Sequence, residues 1–322
     1  MHPTALIQGC LHCTGRLLCY LLLTGLAVSS QAQQPAEPLP VAVSVDVIED
    51  YERFLGPRDP LAISDFSGPF SRRDVVELIL LQQALHLGGF GWPLTFIPET
   101  SYRRVIRQMA AGQLISTGAS KWHLDLASAG DALLISDALV ENGEFIVGIY
   151  TLATHRHIQQ AEADQLRQWR IISNQHWRAD VHTLQALGFR RITYGGDWPS
   201  MVRMLDAGRG ELVLAPFPNR DDLSIEVNGS RLLPVEHIRV AISGSRHWAV
   251  SRKHPQGPAF FAALQRGLAQ LRLQGVVERA YRQSGFFNAQ TDQWPILKPV
   301  VSAGGEPAVG SPPAERSAEG AQ

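Results

Sequence analysis

From Leu61 onward, apolar positions alternate between the period of a buried strand and that of a helix. Leu61-Ala62-Ile63 is a short apolar run ending at Ser64-Asp65-Phe66-Ser67-Gly68, which predicts a strand opening into a loop. Ser71, with Asp74 three residues on, resembles a capping box, and Val75, Leu78, Leu81 and Leu85 follow at helical spacing until Gly88-Gly89. Leu94 to Ile97 predicts the next strand. Thr100 or Ser101 can cap a helix that buries Tyr102, Val105, Ile106 and Met109 and turns Arg103, Arg104 and Arg107 away from the core. Gly112 closes it, and Gln113 to Ser116 returns to strand.

The same order then recurs. Trp169 to Ser173 predicts a strand, Asp180 the cap of a helix through Leu187, and Arg191 to Tyr194 another strand. Pro199 lies in the first turn of a helix carrying Met201, Met204 and Leu205, before the strand Leu212 to Ala215. Two helix-to-glycine-to-strand stretches, Met109 to Leu114 and Leu205 to Leu212, are nearly superposable as patterns. Phe145 to Tyr150 lies between the repeats. Ile225 to Val235 predicts a hairpin about Asn228-Gly229, and Ala259 to Leu273 and Val276 to Arg282 predict terminal helices. The fold class expected is α/β: two lobes, each a mostly parallel sheet flanked by helices.

The termini set the compartment and the limits of the folded part. Arg16 and the apolar run Leu17 to Val28 have the length of a signal-peptide core, and Ser30-Gln31-Ala32 offers a cleavage site, so residues 1–32 are expected to be a removed leader. Cys10, Cys13 and Cys19 all fall within it, which removes disulfides, thiol catalysis and cysteine metal sites from the mature chain. The Ala/Gly/Pro/Ser/Glu-rich stretch 300–322 has little to bury and is expected to be a disordered tail.

Charge narrows the partners. With 29 basic and 30 acidic residues the net charge is −1, too small a field to hold a nucleic-acid backbone. Of the 29 basic residues, all but Lys121, Lys253 and Lys298 are arginine, so a single arginine carries little information by itself. The sequence has no His-Glu-x-x-His, phosphate-binding loop, Gly-x-Ser-x-Gly or dinucleotide fingerprint. His155 and His157 could share one face of a strand, without a carboxylate partner to complete a metal site. The expectation is therefore no metal, no cofactor and no catalytic residue.

In open α/β sheets, ligands collect outside the carboxyl ends of strands. Those ends, as predicted, carry Asp65, Phe66 and Ser67; Thr117; Trp177 and Arg178; and Phe217 and Arg220. These eight are the candidate ligand-binding residues: aromatic faces, hydroxyls and arginines suited to a small polar solute.

Taken together, the two α/β series, Leu134-Ile135-Ser136 before a crossover, Met204 to Arg209, and Leu271-x3-Gly275-x5-Tyr281 resemble the amino-acid-type periplasmic solute-binding proteins (family 3, type II fold) over residues 55–290. The resemblance implies two lobes joined by two crossover strands, lobe one over 41–145 and 243–299 and lobe two over 146–242. It implies a monomeric periplasmic receptor that captures an amino acid or related organic anion for an inner-membrane ABC permease. A stand-alone sensory receptor is the alternative, and a dehydratase-like enzyme, with Asp65 as its only carboxylate at a predicted strand end, a more remote one. Such proteins clamp the ligand carboxylate with a Thr-x-x-Arg segment after the third strand; here Thr117 to Ile135 contains no arginine, and Lys121 is its only Lys or Arg. Asp221 and Asp222 are the candidates for the acidic residue of lobe two.

Overall fold

Two β-sheets flanked by helices organise residues 37–99 and 101–300, the part of the chain that this computed structural model describes. The expected leader, and the expected tail apart from exposed Val300, lie outside the described residues. Strand β1 is Leu39–Ser44, and it leads directly into helix α1, Val45–Leu55, which buries Val47, Tyr51 and Phe54 at i, i+4 and i+7. Leu61 to Ile63, expected as the first strand, is instead a 3-10 turn over Pro60–Ala62 and its flank. Asp59 caps it by accepting the Leu61 N–H (2.9 Å), and Pro60 fixes the turn's first φ.

Helix α2 (Arg73–Leu87) follows, without the expected capping box: Arg72 occupies the N-cap and the Ser71 hydroxyl donates to the Phe66 carbonyl. Then come β2 (Leu94–Glu99), α3 (Tyr102–Ala110), β3 (Ser116–Thr117), β4 (Lys121–Trp122), α4 (His123–Leu126) and β5 (Leu133–Ile135). The second series comprises β6 (Ile146–Leu152), α5 (Arg156–Gln159), α6 (Ala163–Leu166), β7 (Ile171–Asn174), α7 (Arg178–Ala186), β8 (Ile192–Gly195), α8 (Trp198–Asp206) and β9 (Leu212–Ala215). A hairpin, β10 (Ile225–Val227) and β11 (Ser230–Ala241), turns at Asn228 and Gly229, whose φ values of 52° and 83° suit a two-residue turn. The chain returns through β12 (Arg246–His247) and β13 (Ala249–Ser251) and ends in α9 (Gly257–Leu273) and α10 (Val276–Gln283).

The first sheet has the order β2-β1-β3-β13-β5 and the second β10-β11-β6-β9-β7-β8. Parallel trios β2-β1-β3 and β8-β7-β9 correspond, and each is followed by one reversed strand. In the first sheet that strand is β13, which has just come from the second sheet; in the second it is β6, which has just come from the first. The two connecting segments run side by side in opposite directions: Ile242 N–H donates to Phe145 O (2.9 Å), Arg246 N–H to Val140 O (2.9 Å) and Ser136 N–H to Trp248 O (2.9 Å). β12 also pairs with β4, fixing the returning segment to the loop beyond β3.

Helices α2 and α9 cover the first sheet at glycine-mediated contact. A Cβ at Gly267 would stand 1.8 Å from the Ala84 carbonyl oxygen, and one at Gly88 2.0 Å from that of Ala263. The mid-helix glycine of α9, ordinarily a local cost, is what lets the two backbones meet. Phe260, Leu264 and Leu268 thereby join Leu78, Leu81 and Leu85 in one buried cluster.

Candidate binding cleft between the two sheets

A cleft of about 1340 Å³ is lined from both halves of the molecule. The first half contributes Arg73 from α2, one side of α3, Trp122, Asp125 and Phe145; the second contributes Asn174 to Arg178 beyond β7, Asp180, Trp198 and Leu214 to Pro216 at the end of β9. These last two segments are carboxyl ends of parallel strands, where the topology leaves a crevice.

The floor is a buried charge network. Glu77 has no exposed surface, and its carboxylate accepts from Ser120 N–H (2.7 Å), Ser120 O–H (2.8 Å), Tyr281 O–H (2.9 Å) and the Arg73 guanidinium (3.0 Å). Burial, reinforced by the Glu77 charge, pushes the Tyr281 phenol well above its ordinary range, so it remains a donor. Burial works against the charge on Arg73, but Asp74 and Glu77 outweigh it and raise its pKa. Arg246, 8% exposed, enters from the returning segment. It donates to Ser120 Oγ (3.1 Å) and to the Ser120 carbonyl, and lies over the rings of Trp122 (4.7 Å) and Phe145 (5.4 Å). Arg73 lies over Phe145 (5.5 Å) from its own side. Two guanidinium groups are thus presented among aromatic faces, where water is scarce and a charge-assisted bond is strong.

The opposite wall is set by Asn174. Its side chain accepts from His176 N–H (2.8 Å) and donates to Gly196 O (2.6 Å), while its carbonyl accepts from Trp177 N–H (2.9 Å). This holds Trp177 at the N-cap of α7, so Asp180 lies within the helix's first turn and is not its cap, as had been expected. Burial pushes the Asp180 carboxyl up to about 6, opposed by the Arg246 charge. Arg178 reaches across to Asp125 on α4, 3.7 Å away.

Of the eight candidates read from the sequence, the cleft lining includes Trp177 and Arg178. Phe66 has no exposed surface; its ring belongs to the first-sheet core and its N–H donates to Gln283 (2.9 Å). Asp65 and Ser67 form an exposed turn in which Asp65 accepts both the N–H (2.9 Å) and the O–H (2.7 Å) of Ser67. Thr117 is buried and its hydroxyl donates to Ala119 O (2.8 Å). Phe217 packs edge-on against Trp294 (5.6 Å) in the second core, and exposed Arg220 faces Glu226 at 3.7 Å. Of the two acids proposed for lobe two, Asp222 is held at about 2 by the Ser224 N–H and also pairs with Arg231; neither it nor Asp221 is among the cleft lining. Lys121 pairs with Glu99 at 2.8 Å. His155 is the N-cap of α5, not a strand residue, and among the described residues no group of three or more His, Cys, Asp or Glu could hold a metal ion.

Four cleft arginines escaped the sequence reading. Arg73 and Arg246 bring guanidinium groups to the Ser120 region of the segment that lacks its own. Arg107 and its neighbour Arg103, expected to face water, line the cleft with Ile106 and Ala110. Their i, i+3, i+4, i+7 spacing, complementary to buried Val105 and Met109, was the available signal.

No family model matches the chain, and no curated protein matches it. Solved structures do. The periplasmic VFT2 domain of Bordetella pertussis BvgS aligns with a TM-score of 0.50 at 15% identity, over 76% of this chain and 92% of that one. A probable amino-acid ABC transporter extracellular-binding protein of Bacillus subtilis, ytmK, aligns with a TM-score of 0.50 at 12% identity, over 76% and 97%. The larger BvgS periplasmic domain aligns at 0.50 and 15% over 79% of this chain and 44% of its own length. The chain has the two-lobed fold of the periplasmic solute-binding proteins, as its resemblance to that family implied.

Proposed function

We propose that this chain is a periplasmic receptor that captures a small organic anion between its two lobes, without chemical conversion. The observation that carries the proposal is the pair Arg73 and Arg246, set among Trp122 and Phe145 on the cleft floor. In this reading lobe one comprises residues 41–145 and 243–299 and lobe two 146–242, and residues 1–32 direct export. The ligand's acid group takes the floor guanidiniums, Trp177 supplies an apolar face from lobe two, and the Arg178–Asp125 contact helps close the lobes. Delivery to an ABC permease fits the neighbour ytmK, and a stand-alone sensory receptor is the alternative.

The test is native mass spectrometry of the mature protein purified from its own source, followed by calorimetry with the solute it retains. Arg246→Ala should weaken binding by roughly tenfold to more than a hundredfold, the worth of one charge-assisted bond of about 1.5–3 kcal/mol. Unchanged affinity in Arg246→Ala and Trp177→Ala alike would move the solute out of this cleft.

A further inference from the structure

Helix α3 carries an arginine pair that the floor site does not use. Val105 and Met109 anchor it in the first lobe, and Arg103, Ile106, Arg107 and Ala110 line the cleft. Arg103 and Arg107 are one helical turn apart, and no carboxylate on α3 separates them. Other exposed helices pair such residues: Arg53 faces Glu49 on α1 (4.0 Å), and Arg282 faces Glu278 on α10 (3.0 Å). Among the described residues Arg103 and Arg107 have no ion-pair partner. The lining contains two acids, Asp125, which faces Arg178, and Asp180, which acts on the Arg246 charge; among the described residues neither forms an ion pair with Arg103 or Arg107. The cleft also exceeds the roughly 300–1,000 Å³ common for drug-sized ligands.

We propose that Arg103 and Arg107 form a second anion subsite, and that the cleft takes an elongated dicarboxylate. One carboxylate meets Arg73 and Arg246, the other meets α3, and the chain between them runs past Ile106 and Ala110. This rests on the reading that the floor receives an acid group. A bidentate guanidinium–carboxylate contact at each end makes length a selective property of the ligand.

Calorimetry with straight-chain dicarboxylates from malonate to azelate, each against the monocarboxylate of equal length, tests it. Some dicarboxylate should bind the wild-type protein about tenfold or more tightly than its monocarboxylate partner. Arg103→Gln/Arg107→Gln should abolish that preference, leave monocarboxylate affinity unchanged and preserve the melting temperature. Arg104→Gln, outside the cleft lining, should preserve the preference. Monocarboxylate binding that depends on Arg246 but shows no dicarboxylate preference would overturn the second subsite and leave the floor site standing. A preference that survives the double variant would also overturn it. Binding of neither series would overturn both.

Discussion

Replacing Glu77 by Gln removes one charge and converts one carboxylate oxygen into a donor, where the structure has four donor groups converging: Ser120 N–H, Ser120 O–H, Tyr281 O–H and Arg73. At least one buried donor then loses its acceptor and meets another donor, costing about 1–3 kcal/mol, and Arg73 loses one of its two carboxylates in a site with little water. Breaking a buried ion pair from one side costs about 3–5 kcal/mol, and these contributions are consistent with that range. For a folded part of this size, each kcal/mol moves the melting midpoint by about 2–4 °C, so Glu77→Gln should melt roughly 6–20 °C lower in a calorimetric scan. Tyr281→Phe, which deletes a single donor, should cost about 1 kcal/mol, and the double variant should cost less than the sum because both act on one carboxylate. Glu226→Gln, at an exposed pair with Arg220, supplies the comparison and should change stability by less than about 0.5 kcal/mol. If Glu77→Gln lay within about 1 kcal/mol of wild type, the floor would not be the preorganised network described above.

Asp180, whose pKa is raised to about 6 by burial, binds its proton more tightly in the folded than in the unfolded state. Its contribution to stability is therefore present at low pH and lost as pH rises from about 4 through about 6, by up to about 3 kcal/mol. Denaturant titrations should show Asp180→Asn gaining on wild type across that interval, and a difference independent of pH would contradict the assignment. Gly267→Ala should destabilise by at least about 1–3 kcal/mol despite alanine's better helix propensity, because its methyl meets the Ala84 backbone; thermal melting decides the sign. Arg178→Ala should change global stability by less than about 1 kcal/mol yet speed solute dissociation in stopped-flow measurements, since it removes the half-exposed contact to Asp125.

The second sheet was readable in outline because its elements satisfy local rules. β7, β8 and β9 are short apolar runs, Pro199 opens α8, and Asn228-Gly229 turns the hairpin. The first strand was misplaced because the true one begins Leu39-Pro40 and is an interior strand, between β2 and β3, a position from which proline is ordinarily excluded. Pro40 is tolerated one residue into the strand, where its carbonyl still accepts from Ile115 N–H (2.9 Å). That displacement carried the candidate site with it, since Asp65, Phe66 and Ser67 were chosen as the end of a strand that does not exist. Arg246 could not be found locally. Its position depends on β12 pairing with β4 across nearly half the folded chain, and nothing beside it distinguishes it from other arginines.

The exchange of reversed strands sets an order of assembly. All six strands of the second sheet lie between Ile146 and Ala241, so a chain emerging amino end first has everything needed to close that sheet once Ala241 is out. The first sheet cannot close then: β3 and β5 both await β13, and α2 awaits α9. Until the last helices arrive, the half that carries Arg73 and Glu77 holds unpaired strand edges and an uncovered apolar helix. The molecule is thus born from its middle outward, and its earliest residues are among the last to be sheltered.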